Sequence, residues 1–181
     1  MSWGSELVGK KVVVKLGGNA MTDSALLETF AQDVAELAQS GVKLVVVHGG
    51  GPQISEALEK ANIPNSFVDG LRVTPREALP IIRDVLMETI SKPLSKLIEK
   101  SGIKSVPLNG ITEDLLLAEI TRNDLGFVGE VFAVRDSFLR ELLEQNTIPV
   151  ISSIALDLEG NLVNVNADLA ASSIAVALQA E

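Results

Sequence analysis

The chain has no cysteine and no tyrosine, a single histidine, and 3% aromatic residues over its 181 positions. Without cysteine there is no disulfide framework, no thiolate nucleophile and no cysteine-built metal site. With His48 alone, a multi-histidine metal centre is excluded as well. So few aromatics leave Val, Ile, Leu and Ala to build the core, which suits helices packed on a buried parallel sheet. No apolar run reaches the length of a membrane span. Residues 1–11 lack the apolar stretch of a secretory signal, so a cytoplasmic location is the expectation. Basic surplus is missing too. The formal net charge is −9, which argues against nucleic acid or an acidic membrane surface as a partner. A small anion held in one locally positive pocket stays compatible with that exterior.

What is present is ordinary for one globular domain: 46% hydrophobic and 22% charged residues, and enough length for a sizeable core. Strand-like and helix-like segments alternate. Residues 12–16 (VVVKL) and 44–48 (LVVVH) read as buried strands. Leu27, Phe30, Val34 and Leu37 recur at helical spacing before the stop signal Gly41. A helix is expected from Pro52, with Ile54, Ala57, Leu58 and Ala61 on one face. Thr74-Pro75-Arg76-Glu77 has the form of a capping box with proline at the first helical position, and Pro80 is expected to kink that helix or shift its start. Further helices are expected over residues 92–100, from a cap at Asp136, and over 167–179. Strands are expected at 105–108, 115–120, 131–134 and 148–152, with a hairpin over 156–163. The fold class that follows is α/β: a three-layer αβα sandwich around a mainly parallel sheet. Ligands in such folds sit beyond the carboxyl ends of the strands, which points to residues 16–19 and 48–52.

Four clusters there carry chemistry. Lys15-Leu16-Gly17-Gly18-Asn19 ends a strand with an ammonium and a turn whose N–H groups can approach phosphate oxygens. A tight turn with a snorkelling lysine is the plain alternative. His48-Gly49-Gly50-Gly51-Pro52 joins a strand to a helix start, where unpaired amides and the helix dipole favour an anion. His48 itself reads as a strand-end hydrogen-bonding residue rather than a base. Asp69-Gly70-Leu71-Arg72-Val73-Thr74 offers a guanidinium that can grip a carboxylate with two parallel bonds or sit in a surface salt bridge. In Asn164-Val165-Asn166-Ala167-Asp168, the two asparagines share a face of an extended segment. Asn166 can cap the final helix. Asp168 either complements that helix's dipole or orients lysine ammoniums near a transferring phosphoryl group.

These clusters, in this order, resemble the amino acid kinase family, and within it the acetylglutamate kinases. VVVKLGGNAM, VVVHGGGPQI, FVDGLRVT and NVNADLAA carry the resemblance, with LGFVGEV and IPVISSI in support. It implies an ATP-dependent transfer of a phosphoryl group to the side-chain carboxylate of N-acetyl-L-glutamate, a step of arginine biosynthesis, with Mg2+ carried on the nucleotide phosphates and no metal bound by side chains. By the same resemblance Lys15 and Asp168 would be catalytic. Lys15, Gly17 and Gly18 would line the nucleotide phosphates, and Gly50, Gly51, Arg72 and Asn164 would bind the substrate. A homodimer is implied too, without the longer N-terminal helix of arginine-inhibited members.

Three departures qualify what is carried over. Residues 87–92 keep only Lys92 of a glycine and Asn-Lys pattern. Residues 108–114 keep Gly110 but lack a lysine. The chain ends at Glu181, where the family is expected to continue into a nucleotide-binding lobe. The expectation is therefore one domain over residues 1–181, the substrate-binding lobe, inactive or weakly active by itself. A noncatalytic relative that binds an acidic metabolite, and a sister kinase for an aminoadipate-type acid, remain alternatives.

Overall fold

Runs of Val, Leu and Ile become neighbouring strands, because residues that are apolar on both faces have to be covered on both faces. A computed structural model describes residues 6–181, with the side chains at 18 and 19 outside that description. The readings of residues 1–5, including the short N-terminal segment, lie outside the described residues. Strand β1 (Lys11–Leu16) leads through a short turn into α1 (Ser24–Gln39), followed by β2 (Lys43–His48), α2 (Gly51–Lys60) and a small hairpin of β3 (Phe67–Val68) and β4 (Leu71–Arg72). Next come α3 (Ala78–Asp84), a π-helical stretch (Val85–Ser91), α4 (Lys92–Lys100), β5 (Lys104–Asn109), β6 (Leu116–Glu119), β7 (Val128–Val134), α5 (Asp136–Glu144), β8 (Thr147–Ser152), β9 (Ile154–Leu156), β10 (Leu162–Val165) and α6 (Ala167–Leu178).

The central sheet has the order β1-β2-β8-β5 and is parallel throughout. Alternation along β2 builds the three layers. Leu44 and Val46 pack into a core shared with α1, α2 and α4, while Val45 and Val47 pack into a second core with α5 and α6. Four shorter strands, β10-β7-β6-β9, close a ring. Its residues Leu116, Ala155 and Val163 join the second core. Within the ring, β9 follows β8 after the single residue Ser153 and β10 precedes α6 by the single residue Asn166, so the ring stands at the carboxyl end of the sheet.

Local signals explain most element limits. Asp23 caps α1, its Oδ1 accepting from the N–H groups of Ala25 and Leu26 at 2.9 and 3.1 Å. Gly41, at φ +98°, ends that segment. Two expectations need correction. The Thr74–Glu77 capping box does not form: α3 starts at Ala78, and Thr74 is fully buried in a backbone bridge to Gly126. Tertiary pairing took the residue that local chemistry would have used as a cap. The expectation for Pro80 holds in its second form: the helix start is shifted to Ala78, which leaves Pro80 in the first turn of α3, where it breaks no helical bond. Asp136 does not cap α5 but is its first residue, with Arg135 at the cap and the Asp136 carboxylate accepting from Arg140 Nε at 2.6 Å. Residues 85–91, which overlap the 87–92 segment that departs from the family pattern, form the π-helical stretch that makes α3 and α4 continuous.

Candidate active site

Register brings the glycine turns together. Leu16 pairs with His48, and His48 with Ser152, so the chain leaves the sheet side by side at Gly17, Gly49 and Ser153. Beside this row lies a cavity of about 320 Å3. Lys15, Gly17, Gly50, Gly51, Arg72, Asn164 and Asp168 all line it, so seven of the eight residues expected in the site face one cavity. The eighth, Gly18, opens the single turn that follows β1. Met21, Ile54 and Leu71 supply apolar lining.

Arg72 is the most constrained group. Only 7% of it is exposed. Its guanidinium donates to Gly51 O at 3.0 Å, to Ser55 Oγ at 3.1 Å and to Asn65 Oδ1, and it lies 4.7 Å from the Phe67 ring centroid. Every one of these partners is neutral, and burial pushes its pKa down from the ordinary arginine value. Among the described residues no carboxylate lies within ion-pair distance of it. A buried cation without a counter-ion favours an anionic ligand, because removing charge from water is costly until an opposite charge arrives.

The other cation is differently placed. Lys15 Nζ lies 3.2 Å from Asp168 Oδ1, and both side chains keep substantial exposure. Asp168 is the only carboxylate on the cavity wall among the described residues. It sits in the first turn of α6, which Asn166 caps by accepting from the N–H groups of Asp168 and Leu169 at 2.8 and 3.3 Å.

The triple-glycine turn is shaped from below. A Cβ on Gly50 would lie 2.7 Å from Ile90 Cδ1 and 2.8 Å from Leu86 Cδ2, both in the π-helical stretch, whereas Gly51 faces open space. The first-turn amides of α2 have no partner within the helix, and they meet the cavity at Gly51. His48 is fully buried under this turn. Its Nδ1 lies 2.8 Å from Gly49 O and its Nε2 2.6 Å from Ser91 Oγ. A carbonyl only accepts, so Nδ1 carries the proton and Ser91 donates to Nε2. Burial lowers the His48 pKa to about 4, leaving the ring neutral at physiological pH. With both nitrogens committed, His48 braces the turn.

Some site residues were not legible in advance. Ser55 and Asn65 hold Arg72, and Phe67 covers it from the β3–β4 hairpin. The hairpin had a signal, Asp69-Gly70, whose φ values of +51° and +78° suit a tight two-residue turn. Among the described residues no group of three or more histidines or carboxylates could hold a metal ion. No helix among them is long and apolar enough to cross a membrane.

Comparison with known proteins identifies the chain's relatives. The model of the amino acid kinase family matches residues 10–181. An acetylglutamate kinase from a Nocardioides species is 46% identical over all of this chain and 60% of its own length. One from Campylobacter curvus is 46% identical over 95% of this chain and 62% of its own length. The chain thus spans about 60% of the length of these relatives. The crystal structure of smu.665 from Streptococcus mutans superposes with a TM-score of 0.85 at 29% identity, covering 93% of this chain and 69% of that one. A family match through nearly the whole sequence, on a fold that gathers the same motifs around one cavity, places this chain in the amino acid kinase family.

Proposed function

We propose that the cavity is the amino-acid site of an acetylglutamate kinase, which phosphorylates the side-chain carboxylate of N-acetyl-L-glutamate with ATP. The observation that carries the reading is Arg72: a buried guanidinium, hydrogen-bonded only to neutral groups, in the cavity that Lys15, Gly50, Gly51 and Asn164 also line. The similarity to acetylglutamate kinases over nearly the whole chain supports the choice of substrate.

The chemistry asks little of the side chains. A glutamyl-type carboxylate has an ordinary pKa of about 4.3 and is ionised at neutral pH, so no general base is needed. One carboxylate oxygen attacks the γ-phosphorus, the bond to the bridging β,γ-oxygen breaks, and ADP leaves with that electron pair. The products are an acyl phosphate and ADP. Two anions must be brought together and the charge on the moving phosphoryl group neutralised. Arg72 would take the α-carboxylate, with the amides at Gly50 and Gly51 and the Asn164 side chain completing the substrate's contacts. Lys15, held by Asp168, would face the transferring group, and the turn at Gly17 and Gly18 the nucleotide phosphates. Mg2+ would travel on those phosphates and lessen their charge. On this reading residues 1–181 form the amino-acid-binding lobe of a cytoplasmic homodimer, and by themselves they bind substrate with little turnover.

Isothermal calorimetry tests the reading. N-acetyl-L-glutamate should bind the wild-type chain, and Arg72→Ala should abolish measurable binding while the protein stays folded. Equal affinity in the two proteins would remove the basis of the assignment.

A further inference from the structure

Thr74 joins the two residues on which the proposed substrate site depends. It lies two positions after Arg72, is fully buried, and crosses the loop that precedes β7. Its N–H donates to Leu125 O and its carbonyl accepts from the Phe127 N–H, both at 2.8 Å. The crossing is tight: at Gly126 φ is +70°, and a Cβ there would lie 2.5 Å from Thr74 O, so that position requires glycine. From this fixed point the Thr74 hydroxyl meets Arg72 O at 3.1 Å and the Asn164 amide at 3.0 Å.

The hydrogen count then orients the asparagine. A hydroxyl has one hydrogen and can accept through its lone pairs. Arg72 O can only accept, so the Thr74 hydrogen goes to it. Asn164 must therefore donate, which puts Nδ2 towards Thr74 and leaves Oδ1 as the other half of the amide. Asn164 is also held by its backbone N–H, which donates to Phe127 O at 2.9 Å. Among the described residues nothing donates to Asn164 Oδ1, and Asn164 lines the cavity.

We infer that Thr74 is a positioning residue whose hydroxyl fixes the polarity of the Asn164 amide, so that the cavity lined by the Arg72 guanidinium also offers an acceptor and selects α-amido acids over their α-acyloxy counterparts. The inference rests on the reading of the cavity as an acyl-amino-acid site and deepens it. N-acetyl-L-glutamate at neutral pH has two carboxylates, one carbonyl and one N–H. That N–H is its only donor, and Asn164 Oδ1 is an acceptor without a partner. Replacing the N–H by an ester oxygen sets two acceptors against each other.

Calorimetry on the 181-residue chain with N-acetyl-L-glutamate and (S)-2-acetoxyglutarate tests this. Wild type should prefer the amide by about tenfold or more, the effect of a lost hydrogen bond plus an unpaired acceptor. Thr74→Ser keeps the hydroxyl and should keep that preference. Thr74→Val removes it, frees the Asn164 amide to turn over, and should cut the preference to about threefold or less. Equal wild-type affinity for the two ligands, or an undiminished preference in Thr74→Val, overturns the inference. Should Thr74→Val fail to fold, the wild-type and Thr74→Ser preferences decide it, and loss of preference in either is fatal. A wild-type chain that binds neither ligand sinks the reading of the cavity and this inference with it. One that binds both alike, with Arg72→Ala abolishing both, sinks this inference alone.

Discussion

The two cations of the cavity sit in opposite surroundings. Arg72 is 7% exposed, has no carboxylate partner among the described residues, and is held by Ser55, Asn65 and Gly51 O. The Lys15 side chain is 33% exposed and already paired with an Asp168 side chain that is 69% exposed. One end of the cavity is built rigidly around an unneutralised charge, and the other is open with its charge shared. A buried, preorganised guanidinium suits an anion held in one pose. A solvent-facing ammonium on a flexible stem suits a group that moves. The contrast matches a substrate bound at the Arg72 end and a phosphoryl group transferred at the Lys15 end.

The comparison can be broken most directly at Arg72. Truncating a buried partner of a charge-assisted contact costs about 2–5 kcal/mol, so Arg72→Ala should lower N-acetyl-L-glutamate affinity by about a hundredfold or more in calorimetry. A change below tenfold would mean the enclosed end is not where the substrate is gripped.

The support beneath that end is pH-sensitive. Folded His48 titrates at about 4 against an ordinary 6.5, because burial disfavours the charged ring. Between those values the unfolded chain binds the extra proton. The contribution is therefore complete above pH 6.5 and is lost as pH falls towards 4, about 3 kcal/mol in all. Urea denaturation of wild type should show this slope, and His48→Asn should flatten it. Parallel curves for the two proteins would show that His48 is not the group responsible.

Within the triple glycine the comparison sharpens further. Gly50→Ala drives a methyl into Leu86 and Ile90 and should destabilise by about 1–3 kcal/mol. Gly51→Ala meets open space and should stay within about 0.5 kcal/mol. Thermal unfolding of the two variants checks the order, and a reversal would contradict the packing of the π-helical stretch against the turn. The smallest effect belongs to the open end. Lys15→Ala breaks a solvent-facing pair, so its stability should change by less than about 1 kcal/mol. Its substrate affinity should shift by less than about threefold. A loss as large as that of Arg72→Ala would erase the distinction between the two ends.

The sequence by itself determined the layers. Apolar runs such as those in β2 and β8 are buried on both faces, while the run expected to be buried in β1 lies at the sheet edge and is only partly covered, and helical spacing located α1, α2 and α6. It also marked seven of the cavity residues as candidates, since lysine at a strand end, consecutive glycines before a helix and an arginine after Asp-Gly are local patterns. Tertiary structure decided the rest. Thr74 had the local chemistry of a cap, yet pairing with Gly126 outweighed it, because a bridge between distant segments satisfies several backbone groups at once. The same holds for the π-helical stretch under Gly50 and for the neutral partners of Arg72. Burial, polarity and the direction of a hydrogen bond depend on neighbours far away in the chain, and no window of sequence contains them.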